Sequence, residues 1–168
     1  AGAGGVSFVY RTTDIETGDD VALKMIRRKD ELQSSLFLRE AKLLMDLDHP
    51  CLAKYVAHGV AETGQLYLAM EWLDGEDLKR RLDRGVLSVD ETLQIGTAAA
   101  DALDYAHRFG AVHRDVKPEN LFLVGGDASR LKLIDFGIAL RTGGTEILSK
   151  DEVMGTMGYI SPEQARGE

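Results

Sequence analysis

Two short apolar runs, residues 121–124 and 131–134, flank a turn built on Gly125-Gly126-Asp127. Apolar runs on either side of a glycine-rich turn read as an antiparallel hairpin. Such a hairpin brings its two outer ends together. One outer end is preceded by Asn120 and the other is followed by Asp135, so any fold that keeps the hairpin sets an amide beside a carboxylate.

The polar residues next to that hairpin suit one kind of chemistry. Residues 112–120 read V-H-R-D-V-K-P-E-N, with a carboxylate at Asp115, an ammonium at Lys117 and an amide oxygen at Asn120. Pro118 stiffens the segment between them. Asp135-Phe136-Gly137 adds a second carboxylate beside a flexible glycine. Moving a phosphoryl group onto a hydroxyl needs such a set. A carboxylate takes or orients the hydroxyl proton, a cation neutralises phosphate oxygens, and oxygen ligands hold a metal ion. Any one of these acids alone would be an ordinary charged loop residue; their ordered joint occurrence points to chemistry.

Gly2-Ala3-Gly4-Gly5-Val6-Ser7 opens the chain. Glycines let backbone N–H groups approach phosphates without a Cβ in the way, although a frayed terminus has the same composition. A dinucleotide-binding fold would place a helix directly after such a loop. Residues 8–13 are β-branched and aromatic instead, so a strand is expected. Glu16-Thr17-Gly18-Asp19-Asp20 reads as a hairpin turn, and residues 21–26 as the next strand. Lys24 sits in that apolar strand, where an unpaired charge is costly. Read alone, it is a strand-edge lysine reaching solvent.

Residues 33–47 carry a broad apolar stripe of Leu36, Phe37, Ala41, Leu43, Leu44 and Leu47 at helical spacing. Asp48-His49-Pro50 ends that helix, with His49 a turn residue. Two short strands follow, near 53–57 and 66–70. Residues 76–84 read as a short charged helix. Ser88-Val89-Asp90-Glu91 is a capping-box pattern that opens a longer helix to about Phe109, stopped by Gly110. Leu93, Ala100, Leu103 and His107 form its stripe, and the alanines within 98–102 imply close helix packing. His107 reads as structural.

With 168 residues, 44% of them hydrophobic, the chain can bury one sizeable core or two small ones. A net charge of −8 argues against nucleic acid or anionic membrane as partner. Cys51 is the only cysteine, which leaves no intrachain disulfide and fits a reducing compartment. No apolar run is long enough to span a bilayer, and the first residues are not a signal peptide. A cytoplasmic location is expected, although flanking segments of a parent protein could carry a membrane anchor.

H-R-D-x-K-P-x-N followed by D-F-G resembles the eukaryotic-type, or Hanks-type, serine/threonine protein kinase family. Residues 2–10 are similar to that family's G-x-G-x-x-G-x-V loop, with Ser7 in place of the third glycine. Val21-Ala22-Leu23-Lys24 is similar to V-A-I-K. Residues 154–163, M-G-T-M-G-Y-I-S-P-E, resemble the end of an activation segment, with Ser161 replacing the usual alanine. Lysine two residues after the aspartate is a serine/threonine rather than a tyrosine-kinase trait. The H-R-D-x-K-P and S-P-E segments also argue against small-molecule antibiotic kinases. S-P-E-Q-A-R-G resembles bacterial members.

The resemblance implies an α+β, protein kinase-like bilobal fold. The N-lobe, residues 1–70, would be an antiparallel sheet plus helix C; residues 71–168 would form an incomplete helical C-lobe. ATP and Mg2+ are the implied cofactors, and a protein with a serine or threonine acceptor the implied partner. Gly2, Gly4 and Gly5 would approach the phosphates. Val9 and Ala22 would roof the adenine, with Phe122 as floor. The Glu71 carbonyl and Leu73 amide would bind its edge beside the gatekeeper Met70. Lys24, paired with Glu40, would align the α- and β-phosphates. Asp115 would be the base, Lys117 would contact the γ-phosphate, and Asn120 and Asp135 would hold Mg2+. Thr156 would hydrogen-bond near Asp115 and Lys117, and His113 would pack near Phe136 and Leu44. Arg114 would read a phosphate on the activation segment, where Ser149 and Thr145 are candidate autophosphorylation sites.

By the same resemblance the chain is expected to be a fragment, cut at both ends. Later family helices anchor the catalytic loop, and an arginine there pairs with the glutamate matching Glu163. Alone, the chain is therefore expected to be poorly stable and weakly active, and its parent active. The alternative function is a catalytically silent nucleotide-binding or interaction module, which intact Lys24, Asp115, Asn120 and Asp135 disfavour.

Overall fold

The computed structural model describes residues 7–26, 31–136 and 158–166. Two antiparallel sheets and four α-helices make up the described fold. The first sheet has strand order β1-β2-β4-β3, with β1 Ser7–Thr13, β2 Asp20–Ile26, β3 Tyr55–Val60 and β4 Leu66–Glu71. The second has order β5-β6-β7, with β5 Gly75–Asp77, β6 Leu121–Val124 and β7 Leu131–Leu133. The helices are α1 Glu31–Met45, α2 Leu78–Asp83, α3 Val89–Arg108 and α4 Pro162–Ala165. Among the described residues no helix is long and apolar enough to cross a membrane.

The β1–β2 turn forms because Asp14 and Gly18 close it. The Gly18 N–H donates to the Asp14 carbonyl at 2.8 Å, and Gly18 sits at φ 79°, a conformation that favours glycine. Helix α1 runs two residues earlier at both ends than its apolar spacing predicts. Phe37, Ala41 and Leu44 are buried on one face, but Leu43 is 39% exposed, so the stripe is narrower than expected. The side chains of Leu36 and Glu40 lie outside the described residues.

Two expectations are corrected. The short helix begins at Leu78, not at residue 76, because the Asp77 side chain caps it by accepting the Arg80 N–H at 2.8 Å. Residues 75–77 pair with β6 instead. Helix α3 has the expected Ser88/Glu91 capping box and stops at Gly110, φ 75°. Its buried face, however, is Ile95, Ala102 and Ala106, whereas Leu93 is 61% exposed and Ala100 and His107 also face outward. Small alanines let the helix approach its neighbours closely, and that approach outweighs the larger leucine on the other side.

One core cluster joins the two sheets. It contains Phe37, Leu66 and Leu68 from the first half and Ala102, Ala106, Leu133 and Phe136 from the second. It therefore runs across the boundary expected near residue 70. A backbone clasp reinforces it: the Leu133 N–H donates to the Cys51 carbonyl at 2.8 Å, and the Ala53 N–H donates to the Leu133 carbonyl at 3.0 Å. Lys132, pointing the opposite way from its two buried leucine neighbours, reaches the Glu71 carboxylate and the Leu52 carbonyl.

Gly75 has φ 150°, and a Cβ there would lie 2.1 Å from the Leu123 carbonyl oxygen. The obstacle is backbone, so β5 and β6 would have to part. Gly75→Ala is expected to lower the urea midpoint by a loss on the order of 1–3 kcal/mol. A midpoint unchanged by the substitution would show that the strands tolerate the methyl group.

Candidate active site

The hairpin β6–β7 does what its pattern predicts. The Ile134 N–H donates to the Asn120 carbonyl at 3.0 Å, so Asn120 and Asp135 sit at one end. Pro118–Asn120 forms a single 3-10 turn whose first residue is proline, and the Asn120 N–H closes it onto the Lys117 carbonyl at 2.9 Å. That turn points the buried Asn120 amide at Asp115. Its Nδ2 donates to the Asp115 carbonyl at 2.7 Å and to Oδ2 at 2.9 Å. Lys117 Nζ meets the same Oδ2 at 2.8 Å. Both contacts fall on one carboxylate oxygen, and among the described residues Oδ1 has no partner.

On the sheet side, Lys24 Nζ donates to Asp135 Oδ1 at 2.9 Å. Lys24 thus meets Asp135, Asn120 and Lys117 both meet Asp115, and the Ile134–Asn120 backbone bond beside Asp135 brings the two groups together. Lys24 Nζ rests on Asp135; the side chain of Glu40, the expected partner of Lys24, lies outside the described residues. Arg114 and Asp135 both have positive φ, 62° and 58°. Such conformations cost a non-glycine residue free energy, and they cluster where geometry serves function.

His113 is 1% exposed and supports both loops. Its Nε2 donates to the Ile134 carbonyl at 3.0 Å, and its Nδ1 accepts the Asp115 N–H at 3.3 Å. Only the neutral ring can do both. Its centroid lies 4.7 Å from that of Phe136. Burial pushes the imidazole below its ordinary pKa, outweighing the Ile134 carbonyl and the Asp115 and Asp135 carboxylates, which act the other way. The sign follows. The ring stays neutral in the folded protein while the unfolded chain takes up a proton below about pH 6.5. Its contribution to stability is complete above that value and is lost as pH falls below it. Urea midpoints measured from pH 7.5 to pH 5 are expected to fall, with a shallower slope in His113→Gln. Identical slopes would assign the dependence elsewhere.

An apolar cleft opens beside the polar cluster. Val9, Ala22, Met70, Leu73 and Phe122 line it, with Lys24 and Asp135 at its polar end. Residues 71–73 carry its edge. The Glu71 N–H donates to the Lys54 carbonyl at 2.9 Å and the Trp72 N–H to the Asp20 carbonyl at 3.2 Å, while the Leu73 N–H has no partner among the described residues. The Lys54 N–H goes to Glu71 Oε1 at 2.8 Å rather than to the Glu71 carbonyl. Among the described residues the Leu73 N–H is therefore left as a donor at the rim.

Sequence reasoning missed Ala53, Leu68 and Ile134, which also line the cleft. It also missed Lys132, although a charge between two strand leucines was the available signal. Trp72 also lines the cleft, with Arg11 Cζ 4.9 Å from its ring centroid. Gly2, Gly4, Gly5, Thr145, Ser149 and Thr156 lie outside the described residues.

The donor set suits a hard cation that takes much of its shell from a substrate. Asn120 spends its amide hydrogens on Asp115, which leaves Oδ1 as an oxygen ligand, and Asp135 Oδ2 has no partner among the described residues. Among the described residues no group of three His, Cys, Asp or Glu could hold a metal alone.

The family described as "Protein kinase domain" matches residues 1–168. The probable serine/threonine-protein kinase PknB of Lactococcus lactis is 35% identical over 99% of this chain and 27% of its own. Serine/threonine-protein kinase PknB of Mycolicibacterium smegmatis is 38% identical over 99% and 28%. The chain spans little more than a quarter of the length of these curated relatives. The crystal structure of the Mycobacterium tuberculosis PknI kinase domain superposes with a TM-score of 0.72 at 38% identity, covering 82% of this chain and 57% of that one. Rad53 1–466 in complex with AMP-PNP gives a TM-score of 0.80 at 27% identity, covering 99% and 40%. Motif order, the shared end of the β6–β7 hairpin and a family match over every residue converge: this chain belongs to the protein kinase domain family.

Proposed function

We propose that the protein transfers the γ-phosphoryl group of ATP to serine or threonine hydroxyls of proteins, with Mg2+ as the bound cation. One observation carries the reading. Asp115 touches Lys117 and Asn120, and the Asn120 carbonyl is bonded by the Ile134 N–H, next in the chain to Asp135, which pairs with Lys24 at the mouth of an apolar cleft. The names of the relatives, serine/threonine-protein kinases, support the same class. The AMP-PNP complex of Rad53 supports a nucleoside triphosphate in the cleft.

In this reading the adenine lies between Val9 and Ala22 on one side and Phe122 on the other. The Leu73 N–H and Glu71 carbonyl bind its edge, with Met70 at the back. Lys24 holds the α- and β-phosphates. Asn120 Oδ1 and Asp135 are the protein's ligands for Mg2+, which when bound neutralises charge on the phosphate oxygens. Lys117 holds the γ-phosphate and keeps the Asp115 carboxylate turned so that Oδ1 faces the acceptor. Asp115 Oδ1 orients the acceptor hydroxyl and takes its proton.

The test follows labelled γ-phosphate from ATP onto a protein acceptor, with the full-length protein, in Mg2+ and in excess chelator. Label on serine or threonine that disappears with chelator is expected. Nucleotide binding without transfer would favour the silent binding module instead.

A further inference from the structure

Gln164 lies in α4, far along the chain from the catalytic loop yet touching it. Its Nε2 donates to the Arg114 carbonyl at 2.7 Å. Its Oε1 accepts the Ser161 N–H at 3.2 Å, and its own N–H donates to Ser161 Oγ at 3.3 Å. The two ends of one amide therefore serve different partners. The oxygen closes a capping box at the start of α4, and the nitrogen crosses to the residue before Asp115. Because the capping bond already fixes the side chain's direction, the crossing bond demands little further loss of rotamer freedom.

The acceptor is a particular peptide unit. The Arg114 carbonyl and the Asp115 N–H belong to the same planar group. Gln164 holds its oxygen, and His113 Nδ1 holds its N–H at 3.3 Å. Arg114 enters that unit at φ 62°, which a non-glycine residue keeps only when its surroundings over-determine it. Rotation of the plane would swing the Asp115 side chain away from Asn120 and Lys117.

We propose that Gln164 is a positioning residue: its amide nitrogen pins the Arg114–Asp115 peptide plane and so sets the direction of the Asp115 carboxylate, coupling the 161–164 turn to the catalytic loop. The inference rests on the kinase reading above. It also explains why an amide is needed. A carboxylate could cap Ser161 equally well but would present an acceptor to the Arg114 carbonyl.

Two variants of the full-length protein separate capping from positioning. Gln164→Glu keeps the capping acceptor and loses the donor. Its kcat is expected to fall about fivefold to tenfold, the size of one lost hydrogen bond, with KM for ATP within about twofold and an unchanged thermal midpoint. Ser161→Ala breaks the cap but leaves Nε2, so it is expected to lower the midpoint while kcat stays within about twofold. Unaltered kcat in Gln164→Glu would overturn the proposal, as would kcat losses in both variants that simply track the midpoint. Those results require transfer by the unsubstituted protein. Absence of transfer there removes the kinase reading and this proposal together.

Discussion

Replacing Asp115 by asparagine is expected to lower kcat by roughly 10²–10⁴-fold, the range for losing a positioned general base. Nucleotide affinity should change little, because Asp115 does not line the apolar cleft. Asparagine is close in shape, so Asn120 retains an oxygen to donate to. Lys117 loses its ionic partner at 2.8 Å, but that ammonium is partly open to water and can be solvated. What disappears is the proton acceptor. Single-turnover transfer together with a fluorescent-nucleotide titration reads the two effects separately. Equal losses in binding and transfer would make Asp115 a structural residue and remove the proposed base.

The largest effect on stability is expected from Leu133→Ala. Leu133 is fully buried, and it packs in the cluster that spans both sheets. The substitution deletes buried methyl groups and leaves a cavity, a combination that costs about 2–5 kcal/mol. Whole domains are stable by only about 5–15 kcal/mol, so much of the folded population is at stake. Leu131→Ala, in the smaller satellite cluster with Leu78, Ile95 and Leu123, provides the comparison. Urea titration should show the greater loss for Leu133. The reverse order would mean that the satellite cluster, rather than the joint between the sheets, limits stability.

The legible parts of this fold were those in which a local pattern has one geometric meaning. The glycine turn between two apolar runs could only be a hairpin, and it carried Asn120 and Asp135 to one end. Ser88 and Glu91 announced the start of α3 through reciprocal hydrogen bonds. Where the outcome depended on a distant partner, the pattern was ambiguous. Residues 75–77 have no strand periodicity of their own and become β5 only because β6 is there to pair with. The apolar residues of α3 offered two faces, and the alanine face won because it packs more closely. Val9, Ala22 and Phe122 were legible as cleft residues only through family resemblance, since nothing in three apolar residues far apart in sequence says that they meet. Gln164 escaped notice for a related reason: it acts on a backbone carbonyl, which leaves no trace in the order of side chains.

The clasp between Leu133 and residues 51 and 53 has a consequence for how the molecule comes apart. Its two amides are donated across the seam between the halves, so neither half can loosen without surrendering both. The Ala53 and Leu133 amide protons should therefore exchange with solvent in step, at the slowest rate in the molecule, and heating should give one sharp transition rather than two.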